Sequence, residues 1–308
     1  MRKTILTIAL IAGLALPAQL LAGHSSAILG AEGYFAGALP PPGAHFINYL
    51  MYYHAGELND HKGDKKSMDF QADVAAEVLR GIYISDIKIL GANLGWHLIV
   101  PLAYMEMEIK DVPAPRVIDD SRASIGDIDF SPFLLGWHTE LFHVVVGLDI
   151  IAPTGQYNRK HFPVNIGNNH WTFEPALAVS MIHPSGVSAS VKLMYDIHTK
   201  NTDGVNPDNG AKADYLTGQQ FHLDYNAGYM IVDNFRLGVC GYYLIGLQDD
   251  KLDGTKVSDS KEQVLAVGPS AMYSFNPGLH LVAKVQFETL AENRSEGTKG
   301  WLKLIYSF

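Results

Sequence analysis

The sequence predicts an all-β protein, a transmembrane antiparallel up-and-down β-barrel of about 12 strands. Three observations carry that reading. Apolar residues recur at every second position in one segment after another, short and long connections alternate, and the chain ends on an aromatic strand. In Trp301-Leu302-Lys303-Leu304-Ile305-Tyr306-Ser307-Phe308, residues Leu302, Leu304, Tyr306 and Phe308 share one face, because successive strand side chains point to opposite sides. In water such an edge invites aggregation. A strand that closes a membrane barrel needs an apolar outer face and leaves no free edge. The alternative is the last strand of an ordinary soluble sheet, and the other end of the chain decides between them.

That end reads as an export signal over residues 1–22. Arg2 and Lys3 form a charged start, Ile5 to Leu16 an apolar core, and Pro17 to Ala22 a small-residue exit. The apolar run is roughly a dozen residues, too short for a spanning helix, which needs about 20. Leu20 suits the position three before a cut after Ala22 poorly, so the signal is firmer than its end. Residues 23–44 then form an N-terminal segment and 45–308 the barrel.

Losing Arg2 and Lys3 leaves 21 basic residues against 32 acids, so the formal charge moves from -9 to -11. That argues against nucleic-acid binding, which needs a concentrated basic face. Cys240 is the single cysteine, which excludes an intrachain disulfide and a thiolate zinc site. With 29 glycines, 15 tyrosines and 13 phenylalanines, the composition suits twisted strands with aromatic girdles.

Strands are expected to start near Phe46, Phe70, Ile89, Ile125, Leu141, Trp171, Val187, Gln219, Phe235, Val264, Leu279 and Lys299. The second is ambiguous, because Phe70, Val74 and Val78 also fit a helix repeat; its place between two clear strands favours strand. Elsewhere the apolar face is clean. Leu94, Trp96, Leu98 and Val100 oppose Asn93, Gly95 and His97, and Phe142, Val144, Val146 and Leu148 oppose His143, Gly147 and Asp149. Such segments of about 9–13 residues match a tilted spanning strand. Short turns at Ser85-Asp86, Thr139-Glu140, His183-Pro184-Ser185-Gly186, Asp233-Asn234 and Asn276-Pro277-Gly278 carry turn-forming residues. Long connections are expected over His54–Asp69, Glu108–Ser124, Pro153–Asn168, Thr199–Thr217, Gly246–Gln263 and Leu290–Thr298.

If Ile128, Phe130, Trp171, Val191, Leu223 and Val285 face lipid, then Asp127, Asp129, Glu174, Lys192, Asp196, Asp224, Lys284 and Glu288 face the lumen. A charge on the lipid face costs about 2–4 kcal/mol near the midplane, which fixes the phase. Inside, mixed signs suggest paired networks that stiffen the barrel and narrow it. Glu32 and the Pro40-Pro41-Pro42 spacer, whose geometry is stiff, belong either to a periplasmic leader or to a plug in the barrel mouth. If it is a plug, Lys192 or Lys284 is the partner expected for Glu32.

Catalytic and metal motifs are absent from the sequence. The loop from Asp249 to Ser260 fits an EF-hand at Asp249, Asp253 and Gly254, but Lys251 sits at a ligand position and Ser260 replaces the terminal Glu, so it reads as a solvated loop. No His-Glu-x-x-His pair, Gly-x-Ser-x-Gly elbow or phosphate loop occurs. Gly95-Trp96-His97 and Gly136-Trp137-His138 recur without a neighbouring nucleophile, and their tryptophans read as interface anchors.

Several stretches are similar to one family. They are Gly30-Ala31-Glu32-Gly33, Ala36-Gly37-Ala38-Leu39-Pro40-Pro41-Pro42-Gly43, Asn48-Tyr49-Leu50 with Tyr52-Tyr53, and Ile89-Leu90-Gly91-Ala92-Asn93-Leu94-Gly95. Ala152-Pro153-Thr154-Gly155, Leu193-Met194-Tyr195-Asp196, Gly268-Pro269-Ser270 and Glu292-Asn293-Arg294 follow in order, before Trp301-Leu302-Lys303. In these the chain resembles the outer-membrane protein family named for the meta-pathway of phenol degradation. The resemblance implies a barrel in the outer membrane of a Gram-negative bacterium that passes hydrophobic compounds and is linked to aromatic catabolism. It brings no catalytic motif and no cofactor, so the expectation is a channel and not an enzyme. Expected partners are outer-membrane lipids, small hydrophobic or aromatic solutes, and the outer-membrane assembly machinery through Phe308. The competing classes are a structural or adhesive barrel without transport, and an outer-membrane lipid hydrolase, whose His-x-Ser-Asn-Gly string is missing here.

Overall fold

The computed structural model describes residues 28–110, 118–206 and 209–308. The export signal and its cut lie outside the described residues, as does part of the connection following Glu108.

Period-2 patterning becomes strand throughout. In order come β1 (Gly43–Leu58), β2 (Asp69–Ile89), β3 (Ala92–Lys110), β4 (Ile118–Ile125), β5 (Ile128–His138), β6 (Phe142–Ala152), β7 (Thr172–Ile182), β8 (Val187–His198), β9 (Asn201–Val205) and β10 (Lys212–Leu216). They are followed by β11 (Gln220–Val232), β12 (Phe235–Gly246), β13 (Lys251–Leu252), β14 (Thr255–Lys256), β15 (Gln263–Asn276), β16 (Leu279–Glu292) and β17 (Ser295–Ser307). Among the described residues the main sheet has 13 strands. β4 and β5 run in line along β3, meeting it at Leu102↔Ile125 and at Ile99↔Asp129 respectively, so together they make one stave. Twelve antiparallel staves therefore close, with the last strand pairing with the first from His45↔Ser307 to Leu58↔Ser295. Closure removes the edge that Leu302, Leu304, Tyr306 and Phe308 would otherwise expose.

The stave is interrupted at Gly126-Asp127. There the Asp127 carboxylate accepts from the backbone N–H of Gly155 and of Asn168, both at 2.8 Å. These bonds dock the connection after β6 onto the gap.

Several expected loops turn out to be strand. β1 runs on to Leu58 and β3 to Lys110, and β4 takes up Ile118 to Ser124. Their extensions pack around a small apolar cluster of Tyr53, Ala55, Leu58, Phe70, Ala72 and Ile109. That cluster lets strands persist past the lipid band, and the alternation in Glu106-Met107-Glu108-Ile109 is its trace in the sequence. Thr199–Thr217 and Gly246–Gln263 likewise carry β9, β10, β13 and β14, which form a separate four-stranded sheet. In that sheet Asp250 accepts from the Gly218 N–H at 2.7 Å, Asp253 from the Asp214 N–H at 2.8 Å, and Asp249 from Lys256 at 2.8 Å. The acids of the calcium-like loop are thus spent on hairpin architecture.

The ambiguous second segment is a strand of 21 residues. Phe70, Ala72, Val78, Ile82 and Ile84 are buried along its inner face. Its outer face is not clean: Glu77 accepts from Asn48 Nδ2 at 2.7 Å, and Asp73 from the Tyr52 hydroxyl at 2.5 Å, on the outside of the barrel. Satisfying each carboxylate with a neighbouring donor reduces the cost of facing lipid.

Candidate functional site: the barrel lumen

The lumen is filled by the chain that precedes β1, and nearly every residue from Leu29 to Leu39 has a part in holding it there. Leu29 is buried with Tyr242, Leu244, Val264, Ala266 and Ala291. Asp224 accepts from the N–H of Gly30 (2.9 Å) and of Glu32 (2.8 Å). Lys284 Nζ donates to the carbonyls of Gly30, Ala31 and Glu32 at 2.6, 3.0 and 2.8 Å. Lower down, Ser190 Oγ accepts from the Phe35 N–H (3.1 Å) and Ser180 Oγ from the Gly37 N–H (2.8 Å). Arg236 stacks over the Phe35 ring. Leu39 packs against Leu134, Val145 and Ala178, and the carbonyl of Pro41 lies 2.8 Å from His45 Nε2.

Two glycines of this segment are required by geometry. Gly30 has φ +79, and a Cβ there would sit 2.4 Å from Gln286 Oε1, so both the backbone region and the space favour glycine. A Cβ on Gly37 would lie 2.6 Å from the Ser180 backbone nitrogen.

Glu32 is the pivot. Its carboxylate binds Arg80 at 2.6 Å and Lys303 at 3.0 Å. Lys284 holds the same residue through its carbonyl, and Lys192 is engaged elsewhere, so the partners expected from sequence are replaced by Arg80 and Lys303. From Arg80 a belt of ionisable groups crosses the lumen. Arg80 Nη2 donates to His97 Nδ1 (2.9 Å), and His97 Nε2 faces Asp149 (3.3 Å) and Asp129 (3.8 Å). Lys192 bridges Asp149 (3.2 Å) and Glu174 (3.7 Å), and His222 lies 3.4 Å from both Glu174 and Asp196. Glu288 stands apart from this belt, accepting from the Tyr53 hydroxyl (2.7 Å) and the Gly297 N–H (2.9 Å).

Of the inward charges named in the sequence, Asp129, Glu174, Lys192 and Asp196 therefore meet in the belt. Asp224 and Lys284 clasp the N-terminal segment, and Asp127 anchors a loop. Arg80, Lys299 and Lys303 were not singled out. Arg80 lies in the segment that the sequence leaves ambiguous between helix and strand, and the two lysines alternate with the apolar residues of the terminal strand, which is where their inward phase can be read.

The belt divides the space that remains. Towards the long loops lies a cavity of about 400 Å³, and towards the short turns one of about 280 Å³. Glu32, Arg80, Asp149 and Lys192 border both. The larger cavity has two chemically distinct walls. β1, β2 and β3 supply Met51, Val74, Ala76, Val78, Ile99, Ala103 and Met105, interrupted by Arg80, and the staves that follow β3 supply Asp127, Asp129, Asp149, Glu174 and Asp224.

This architecture has relatives. An outer membrane channel from Pseudomonas putida F1 matches with a TM-score of 0.76 at 17% identity, over 88% of this chain and 97% of that one. The transport unit of the autotransporter AIDA-I from Escherichia coli matches with a TM-score of 0.52 at 9% identity, over 88% and 92% of the two chains. At these identities the likeness is one of fold. Among individually curated proteins none matches the sequence at a significant level. The sequence does match a family model described as the putative MetA-pathway of phenol degradation over residues 55–304, nearly the whole barrel, and the chain belongs to that family.

Proposed function

We propose that the protein is an outer-membrane channel for passive uptake of small hydrophobic or aromatic compounds, in the service of aromatic catabolism. The observation that carries this reading is the apolar lumen wall formed by β1–β3. In a barrel the lumen face is ordinarily polar and the lipid face apolar, yet here three consecutive strands put aliphatic side chains inward. A solute that sheds water gains on that wall about 25 cal/mol for each Å² of apolar surface it buries. The ionic belt and the N-terminal segment supply the opposite property, a barrier to hydrophilic solutes. The family's description and the channel named among the similar structures agree with this reading.

Reconstituted liposomes test it. Flux of a small phenol should rise well above that of empty vesicles, whereas a pentose of similar size should leak little. Ala76→Glu, which places a charge on the apolar wall, should reduce phenol flux severalfold while the barrel still folds. Equal flux of phenol and pentose would mean a general pore, and no flux of either a structural barrel.

A further inference from the structure

Two trios of histidine and carboxylate stand in the lumen, and their chemistry differs. In His97, Asp129 and Asp149 the imidazole is already committed. Arg80 can only donate, so His97 Nδ1 accepts, and the neutral ring must carry its proton on Nε2, the atom that faces the two carboxylates. Nε2 then has no lone pair to offer. The trio is an ion-paired cluster whose facing atoms, Nε2, Asp129 Oδ1 and Asp149 Oδ1, make no hydrogen bond among the described residues, and the Arg80 bond keeps its imidazole from serving as a ligand.

Glu174, Asp196 and His222 have no such constraint. His222 Nε2 hydrogen-bonds Asp196 Oδ1 at 3.4 Å, but Nδ1 has no hydrogen-bond partner among the described residues, so the ring can carry a single proton on Nδ1 and present Nε2 to an ion. The imidazole sits between the carboxylates, its Nε2 at 3.4 Å from Glu174 Oε2 and 3.4 Å from Asp196 Oδ1. Charge-assisted N–H···O bonds are shorter, about 2.7–2.9 Å. The separation is long for such a bond, and it also matches the edge of a tetrahedron around an ion held by nitrogen and oxygen at about 2.0–2.1 Å, which is about 3.4 Å. All three donor atoms lie within 4.8 Å of one another. Asp196 Oδ2 and His198 Nε2, on the same face of β8, are also buried and have no hydrogen-bond partner.

Burial makes the charge balance acute. Asp196 is 0% and Glu174 4% exposed. Lys192 is the nearest ammonium, but at 3.7 Å from Glu174 it is shared with Asp149 at 3.2 Å. Two buried carboxylates with a fraction of one lysine need further positive charge, which either a second proton on His222 or a bound cation supplies. Glu174 and His222 border the larger cavity, which gives an ion a way in.

We propose that Glu174, Asp196 and His222 form a binding site for a divalent transition metal of the zinc type, with one nitrogen and two oxygen ligands and a fourth position open to the cavity. The ion joins β7, β8 and β11 on the charged wall of the lumen. The proposal does not depend on which solute the channel passes.

The test uses the whole mature barrel, purified without a histidine tag, stripped with chelator and titrated with Zn²⁺ by calorimetry and with Co²⁺ by visible absorption. One Zn²⁺ per chain is expected, together with the visible bands of tetrahedral Co²⁺, which Zn²⁺ bleaches. His222→Gln should weaken Zn²⁺ by more than the ~100-fold that loss of an outer-shell partner costs. Asp196→Asn gives a second readout should His222→Gln fail to fold, judged by heat-modifiable mobility. The rival imidazoles are His138 and His143, whose Nδ1 atoms lie 3.0 Å apart at the short-turn end. Replacing both by Gln should leave binding intact. Absence of stoichiometric Zn²⁺ binding, binding unchanged in His222→Gln and Asp196→Asn, or binding lost with His138 and His143 would each overturn the proposal.

Discussion

Two carboxylates show how a single residue sets the behaviour of this barrel. Glu32 lies inside, held by Arg80 and Lys303. Glu32→Gln leaves two buried cations under-compensated, a loss of about 3–5 kcal/mol when a buried pair is broken. Chemical denaturation in lipid vesicles should register that loss, and limited proteolysis should find the N-terminal segment loosened. A variant as stable and as resistant as the parent would show the pair to be idle. Glu77 lies outside, bonded to Asn48. Glu77→Leu should raise stability in the same vesicles by about 1 kcal/mol, since a carboxylate facing lipid is unfavourable even with a partner. The inward set Asp224, Lys284 and Glu288 was visible as charges on alternating positions. Their bonding was not, because Asp224 meets Gly30 across 194 residues and Lys284 meets it across 254. Periodicity reports which face a side chain takes and carries no information about which distant backbone it finds.

Elements are defined here by what they pack against. The N-terminal segment has neither helix nor strand, yet it occupies the lumen through backbone bonds to Asp224, Lys284, Ser190 and Ser180. Deleting Gly30 to Leu39 behind an intact signal should therefore raise single-channel conductance and weaken discrimination between aromatic and hydrophilic solutes. Unchanged conductance and selectivity in planar bilayers would reduce the segment to a leader. At the other terminus Phe308 is 80% exposed and stacks edge-on with Tyr306. It adds little packing, so its removal should slow insertion and leave material in the periplasm without lowering the stability of barrels that do assemble. Normal outer-membrane amounts of the truncated chain at modest expression would count against that role. Strands run further than the charged stretches of sequence suggest. At Glu106 and Glu108 the charges alternate with Met107 and Ile109, and the extramembrane cluster around Phe70 and Ile109 makes strand out of them.

At the scale of the whole molecule, the long connections and short turns assign the two ends of the barrel to opposite sides of the membrane. A cysteine at Lys256, in the outlying four-stranded sheet, should label from outside intact cells. One at Asn276, in a short turn, should react only after the envelope is opened. Equal labelling at both positions would reject the orientation. Native Cys240 is buried and does not interfere.

Residue alternation and connection lengths suffice to specify the barrel, its approximate number of staves and the rhythm of its connections. These follow from a local rule: a strand between lipid and lumen must alternate, and a chain lacking that alternation cannot cover both environments. The tertiary structure alone decided what fills the lumen, that the stave at Gly126-Asp127 is broken, that Glu32 meets Arg80 and Lys303, and that His97 is tied by Arg80 while His222 is not. Those outcomes depend on ring closure. Closure brings side chains from β2, β8, β11, β16 and β17 within a few ångströms of one strand of backbone, and the distance along the chain between them sets no limit on which of them meet.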